Sequence, residues 1–127
     1  MQSVVDQSGV ESGLVSVFVP GSTAAVTTME YEPGGVHDLR ETLERLVPQA
    51  ADYELGGDPP TSGLRPDDPP HTRGTNAHAH IRAAIVGPSE TFPVRSGQLA
   101  LGTWQQIVLV DFDDRERQRT VVVQVVA

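Results

Sequence analysis

Two runs of β-branched residues near the C-terminus restrict the folds open to this chain more than any other feature. Ile107-Val108-Leu109-Val110 and Val121-Val122-Val123-Gln124-Val125-Val126 are apolar at nearly every position. A strand wetted on one face alternates apolar with polar residues, so continuous apolar runs imply that both faces are covered. At 127 residues the chain is read as one domain, 1–127, with a single core. So small a chain has little left to cover a second face, and the runs therefore predict a homo-oligomer.

The remaining elements follow from local pattern. Residues 2–12 read as a short helix with Val4, Val5 and Val10 inward and Gly13 placed to end it. Leu14 to Pro20 is a near-continuous β-branched run, a well-buried strand, and Ala24 to Glu30 is a second strand. Val36, Leu39, Leu43, Leu46 and Val47 recur at helical spacing before Pro48, which predicts a helix over 36–47. Asn76 is suited to cap a helix over 77–86 that Gly87-Pro88 stops. Beyond it, 90–95, 98–101, 104–111 and 119–126 read as strands, with Ser96-Gly97 a hairpin signal and Pro93 an edge marker. About six strands and two to three helices, joined mostly by hairpins, make an α+β fold with an antiparallel sheet. Residues 50–75 are rich in Pro, Gly and Asp, either an insertion without fixed order or a loop that covers something. The favoured reading orders the ends near Tyr53 and His71 and leaves the middle mobile.

Charge narrows the function classes. The net charge is −8, and all nine basic residues are Arg. An acidic surface repels phosphate backbones, which argues against nucleic-acid binding. Without Lys there is no Schiff-base lysine, and without Cys no thiol nucleophile or thiolate metal site. No apolar window reaches the roughly 18 residues of a membrane helix, and the N-terminus lacks a signal-peptide pattern, so a cytoplasmic protein is expected. Acidic residues without Lys fit a high-salt cytoplasm; a GC-rich genome would favour Arg over Lys as well.

The chemistry is concentrated in Thr75-Asn76-Ala77-His78-Ala79-His80-Ile81-Arg82. On a regular helix His78 and His80 point roughly 200° apart, so the two cannot ligate one ion unless the first turn is irregular. His78 and His80 with His71 and Glu30 form a His/carboxylate set of the kind that takes a Zn²⁺-like ion, although the spacing matches no recognised zinc motif. Each residue also has a structural reading. His37 suits a solvated helix start, Glu30 a strand-end carboxylate, Arg82 an ordinary ion pair and Trp104 a packing anchor.

Taken together, Val19-Pro20-Gly21-Ser22-Thr23-Ala24-Ala25, Glu30-Tyr31-Glu32-Pro33-Gly34, the 76–82 segment and Leu101-Gly102-Thr103-Trp104-Gln105-Gln106 resemble the YjbQ family, often called secondary thiamine-phosphate synthases. The resemblance runs nearly the whole chain and implies an antiparallel α+β fold assembled as a homotrimer, with sites near subunit interfaces. It implies weak joining of a pyrimidine diphosphate to thiazole phosphate, hence a small phosphorylated ligand. Motif by motif, His80 and Glu30 stand at catalytic positions, and Ser22, Thr23, Asn76, Arg82, Thr103 and Gln105 at substrate-binding ones. Mg²⁺ or a Zn²⁺-like ion would neutralise departing pyrophosphate, with His78 and His71 as candidate ligands.

The chain departs from the family in three places. Gly21 stands where many relatives have His, placing it with a Gly-Ser-Thr branch. Leu55 replaces the His of a Tyr-x-His motif, leaving His71 as the nearby imidazole. The usual N-terminal strands before the first helix are missing. A catalytically silent ligand- or metal-binding oligomer of the same fold is the rival reading, and a purely structural or interaction protein is a further one. The spatial expectation common to the catalytic readings is that His80, Glu30 and Ser22 meet in one pocket, counting neighbouring subunits.

Overall fold

The computed structural model describes residues 1–55 and 76–127. The Pro/Gly/Asp-rich stretch at 56–75 lies outside the described residues. Among those described, the order is α1 (Gln2–Ser8), β1 (Ser12–Phe18), β2 (Ala24–Met29), α2 (Pro33–Leu46), α3 (Ala77–Val86), β3 (Ser89–Arg95), β4 (Gln98–Leu99), β5 (Gln106–Asp111) and β6 (Val122–Val126). The fold is α+β with every strand pair antiparallel, as the pattern predicted.

The pairing is less local than expected. One sheet runs β4-β3-β1-β6, and β2 pairs with β5 as a separate two-stranded ribbon. Among the described strands, only β3–β4 is a hairpin between neighbours in sequence. Pro93 is not on an outermost strand, but β4 pairs only with Val94 and Arg95, so it is spared a full ladder on that side.

Helix α1 ends at Gly9, which takes the left-handed conformation at φ 69°, rather than at Gly13. Gly13 serves β1 instead, because a Cβ there would overlap the Val126 carbonyl oxygen of β6. Helix α2 starts three residues earlier than its apolar pattern, with Pro33 in its first turn and the Glu32 carboxylate accepting from the Gly35 N–H. Asn76 occupies the N-cap position of α3 without a side-chain capping bond; its carbonyl oxygen accepts from Ala79 and His80 N–H.

Two apolar clusters meet on opposite faces of β2. Ala24 and Val26 join Val5, Val15, Val17 and Phe92 on the side of the four-stranded sheet. Ala25 joins Leu43, Ala79, Ala83 and Phe112 on the helix side. The ribbon is therefore a middle layer between sheet and helices. Among the described residues nothing covers the outer face of β1 and β6: Leu14 and its partner Val126, and Phe18 and its partner Val122, are all exposed.

Replacing Gly13 with Ala should force β6 away from β1. We expect Gly13→Ala to cost about 1–3 kcal/mol, the usual penalty of overpacking, read as a lower urea midpoint. Unchanged stability would show that the β1–β6 approach is not tight.

Candidate functional site

Strand β2 sets the geometry of the site, because the predicted residues divide between its two ends. Ser22 and Thr23 precede its first residue and Glu30 follows its last. At about 3.3 Å per residue such a strand holds its flanking residues roughly 20 Å apart. Within one chain, therefore, Ser22 and Glu30 do not share a pocket.

At the Glu30 end, Glu30 is exposed. Gln105 bridges the turn to the ribbon, donating to Thr28 Oγ1 at 3.0 Å and accepting from Gly102 N–H at 3.0 Å. Gln106 accepts from Tyr31 N–H at 2.7 Å. Thr103 and Trp104 lie exposed on that turn, Trp104 at 70%, so it anchors no core among the described residues. Gln105 is thus a structural clamp here, a role the motif alone did not indicate.

At the other end Asp111, Asp113, Arg117 and Arg119 form a charged network with Thr23. Arg119 donates from Nε and Nη2 to the two carboxylate oxygens of Asp111, both at 2.9 Å, and from Nη2 to Thr23 Oγ1 at 2.6 Å. Thr23 in turn donates to Asp113 Oδ2 at 3.3 Å. The Asp113 side chain is 1% exposed and pairs with Arg117 at 3.1 Å. Ser22, one residue away, is exposed. The hydrogen bonds from Arg119 hold the Asp111 carboxyl below its ordinary value. Burial works to raise Asp113, but the Asp114 N–H, Arg117 and Thr23 outweigh it and hold it low as well.

Helix α3 brings the imidazoles to this end. Ala79 and Ala83 face the core, His78 is buried, and His80 is half-buried on another side of the helix. Arg82 reaches α2, donating to the Val47 carbonyl at 2.8 Å and 3.0 Å and to Glu44 at 2.8 Å. It thereby satisfies an open carbonyl just past the end of α2. Asn76 is buried at the helix start.

Between the two ends runs a cleft of about 620 Å³, in the size range of small-molecule sites. Val108 and Val110 floor it, and Val36, Leu39 and Leu43 of α2 form one wall. Met29 and Tyr31 lie at the Glu30 end, while His78, Arg82, Asp113 and Asp114 lie at the other. His78 is 3% exposed, and its Nδ1 is buried without a hydrogen-bond partner among the described residues. Burial, and then the Arg82 charge, hold its imidazole below the usual 6.5 and favour the neutral ring. His71 lies outside the described residues. Among the described residues no three His, Asp or Glu side chains are grouped to hold a metal ion.

The carboxylates of 111–114, Arg119 and the orphaned His78 nitrogen were missed by sequence reasoning. The available signal was the Asp-x-Asp-Asp run followed by alternating Arg, directly after a buried strand.

Two outcomes test this description. Arg119→Met removes one partner of a buried ion network and should cost about 3 kcal/mol; a urea midpoint near that of the parent would refute the network. Acid should unfold the protein in two stages. For His78 the unfolded chain binds more protons than the folded one, so its contribution is present above pH 6.5 and is lost as pH falls below that value. For Asp111 and Asp113 the contribution is present above pH 3.8 and lost below it. His78→Phe should flatten the upper stage in urea midpoints measured from about pH 7.5 to about pH 5; an unchanged slope would show that His78 is not buried neutral.

Comparison with known proteins places this geometry in a family. The whole chain, residues 1–127, matches the family model described as UPF0047 protein YjbQ-like. A UPF0047 protein of Archaeoglobus fulgidus is 38% identical over 111 residues, covering 87% of this chain and 75% of the relative. A UPF0047 protein of Mycobacterium tuberculosis is 39% identical over 113 residues, covering 87% and 73%. Among solved structures, a protein of Sulfolobus solfataricus described as YbjQ-like and of unknown function superposes with a TM-score of 0.81 at 30% identity, over 97% of this chain and 78% of that one. A yjbq/upf0047 protein of Clostridium acetobutylicum gives 0.79 at 30% identity, over 98% and 84%. No helix among the described residues is long and apolar enough to cross a membrane. With its motifs, its antiparallel α+β architecture and this match along its full length, the chain belongs to the UPF0047 (YjbQ-like) family.

Proposed function

We propose that this chain is a small-molecule enzyme whose substrate lies in the cleft beneath α2, against the His78 imidazole. One observation carries the reading: His78 lines the cleft, and its buried Nδ1 has no hydrogen-bond partner among the described residues. Leaving such an atom unsatisfied costs about 1–3 kcal/mol, and a native structure that carries such a cost beside a cleft marks a functional-site candidate. An imidazole lining the cleft can exchange a hydrogen bond with the ligand.

The reaction implied by the resemblance is the first to assign to this site. The bond from the pyrimidine methyl carbon to the diphosphate oxygen breaks, and pyrophosphate leaves with the electron pair. The thiazole nitrogen then forms the new carbon–nitrogen bond, giving thiamine phosphate. The protein's task is to hold the ring half against the apolar floor and neutralise the departing charge. Arg40 on the α2 wall has no ion pair among the described residues, whereas Arg82 is held by Glu44 and Val47. No step is assigned to a metal, because the described residues group no set of ligands for one. A homotrimer belongs to this reading, since within one chain β2 holds Glu30 and Ser22 apart and a neighbouring copy could bring them together.

A silent ligand-binding oligomer is the second reading. What favours it is the scarcity of free cations for pyrophosphate in a cleft lined by Asp111, Asp113, Asp114, Glu41 and Glu44.

Incubating the full chain with the pyrimidine diphosphate and thiazole phosphate, and following thiamine phosphate and pyrophosphate together, separates the readings. The enzyme reading expects equal amounts of both products, lost in His78→Phe and in His80→Ala while the far-ultraviolet spectrum is kept. Thermal stabilisation by either substrate without product selects the silent binder.

A further inference from the structure

The outward face of the four-stranded sheet departs from the charge pattern of the rest of the molecule. Val15, Val17, Phe92 and Val94 turn inward to the core, so the residues alternating with them turn outward. Leu14, with its strand partners Pro93 and Val126, makes one exposed apolar row, and Phe18 with Val122 makes another. Between the two rows Ser16 stands beside Thr91 on one side and Gln124 on the other. No strand position on this face is acidic, in a chain with 17 acidic residues and a net charge of −8. Its one charge is Arg95, at the corner where β3 turns into β4. A sheet face left to water carries polar and charged side chains; this one carries hydrocarbon at both ends and neutral polar groups between.

Charge and shape select the occupant. Two copies of so acidic a chain repel each other over most of their surfaces, and here they can meet with no carboxylate on either side. A basic partner would be drawn to the carboxylates elsewhere, and an anionic membrane or a nucleic acid finds only Arg95. Turned over onto its own copy, the face sets apolar rows on apolar rows and the polar row on the polar row. At about 4.8 Å between strands and about 3.3 Å per residue, it measures roughly 20 Å by 23 Å. Two such faces bury on the order of 1,000 Å², the lower bound for a specific interface. The chain flanking residues 56–75 lies in the helix layer, on the far side of the ribbon: Tyr53 donates to the Pro48 carbonyl beyond α2, and Asn76 opens α3.

We infer that the outward face of β3, β1 and β6 seats the same face of a second copy of this chain, in a two-fold contact of sheet on sheet. The contact is independent of the cleft. Alone it closes with two copies, and with six where the three-fold of the reading above also forms.

Sedimentation equilibrium over a range of concentrations reads the number of 13.6 kDa chains in the assembly. Two or six copies are expected for the parent. Gln124→Glu sets a carboxylate in the polar row against its own copy and should raise the concentration for half-pairing at least about tenfold, a difference of about 1.4 kcal/mol. Leu14→Lys should do the same from an apolar row. Both positions are exposed, so the far-ultraviolet spectrum and urea midpoint should be kept while the copy number falls to one or three. Should Leu14→Lys unfold, Gln124→Glu, which keeps the shape of the parent side chain, decides alone. Gln7→Glu makes the same charge change on α1, away from the face, and should leave pairing as it is. A parent of one or three copies overturns the inference, and so does pairing that survives Gln124→Glu or is weakened equally by Gln7→Glu. An odd assembly that co-sediments with neutral phosphatidylcholine vesicles gives the face to lipid and overturns it likewise. The two proposals fail separately. Thiamine phosphate formed by an odd assembly removes only this contact, and an even assembly without product removes only the reaction.

Discussion

Strand β2 is buried on both faces, and the rest of the molecule is arranged around that requirement. Ala24, Ala25 and Val26 are each at most 1% exposed, one face meeting the four-stranded sheet and the other the helices. Layers can close on a strand from both sides only if its side chains are small, because interiors pack to near-crystalline density. Alanine at 24 and 25 meets that condition, and Ala79 and Ala83 meet it from the facing helix. Close approach of α3 then places His78 at the end of the ribbon, and the length of β2 keeps Glu30 at the other end. The cleft follows from the same arrangement, since α2 covers the ribbon only in part.

Two guanidiniums hold these layers in register. Arg119 ties the start of β2 through Thr23 to the end of β5 through Asp111. Arg82 ties α3 to the chain leaving α2. Both are largely removed from water, where a charge-assisted bond is strong and an unpaired charge is expensive. Their commitment to the fold has a functional consequence. Cations that look available in the sequence are used internally, and Asp114, at the His78 end of the cleft, has no Arg partner among the described residues.

The helices and strands were legible because their signals are local. Leu39 and Leu43 recur at helical spacing, and Val15 and Val17 alternate on one face of β1 with residues that remain wetter. Ambiguity arose where one residue type answers two needs. Gly9 and Gly13 are equally good stops for α1, and only the nearness of Val126 assigns Gly13 to the sheet. Pairing was harder to read. A hairpin is announced by its turn, as Ser96-Gly97 announces β3–β4, but nothing near β2 in the chain indicates that it pairs with β5. The candidate site was legible as a segment, 76–82, and not as a geometry. His80 carries the family motif, yet the imidazole lining the cleft is His78, because helix phase relative to the ribbon decides which side is covered.

What the sequence by itself determined is the inventory: an antiparallel α+β domain of the YjbQ type, its capping and breaking residues, an acidic balance with arginine as its only strong cation, and a histidine-bearing helix start. These rest on steric and periodic rules that act over a few residues. Tertiary structure alone decided which charges are paired, which ring nitrogen is left without a partner, and that Ser22 and Glu30 stand at opposite ends of a strand. Such properties depend on desolvation and on distances between residues some ninety positions apart, as with Thr23 and Asp113, and no local pattern encodes them.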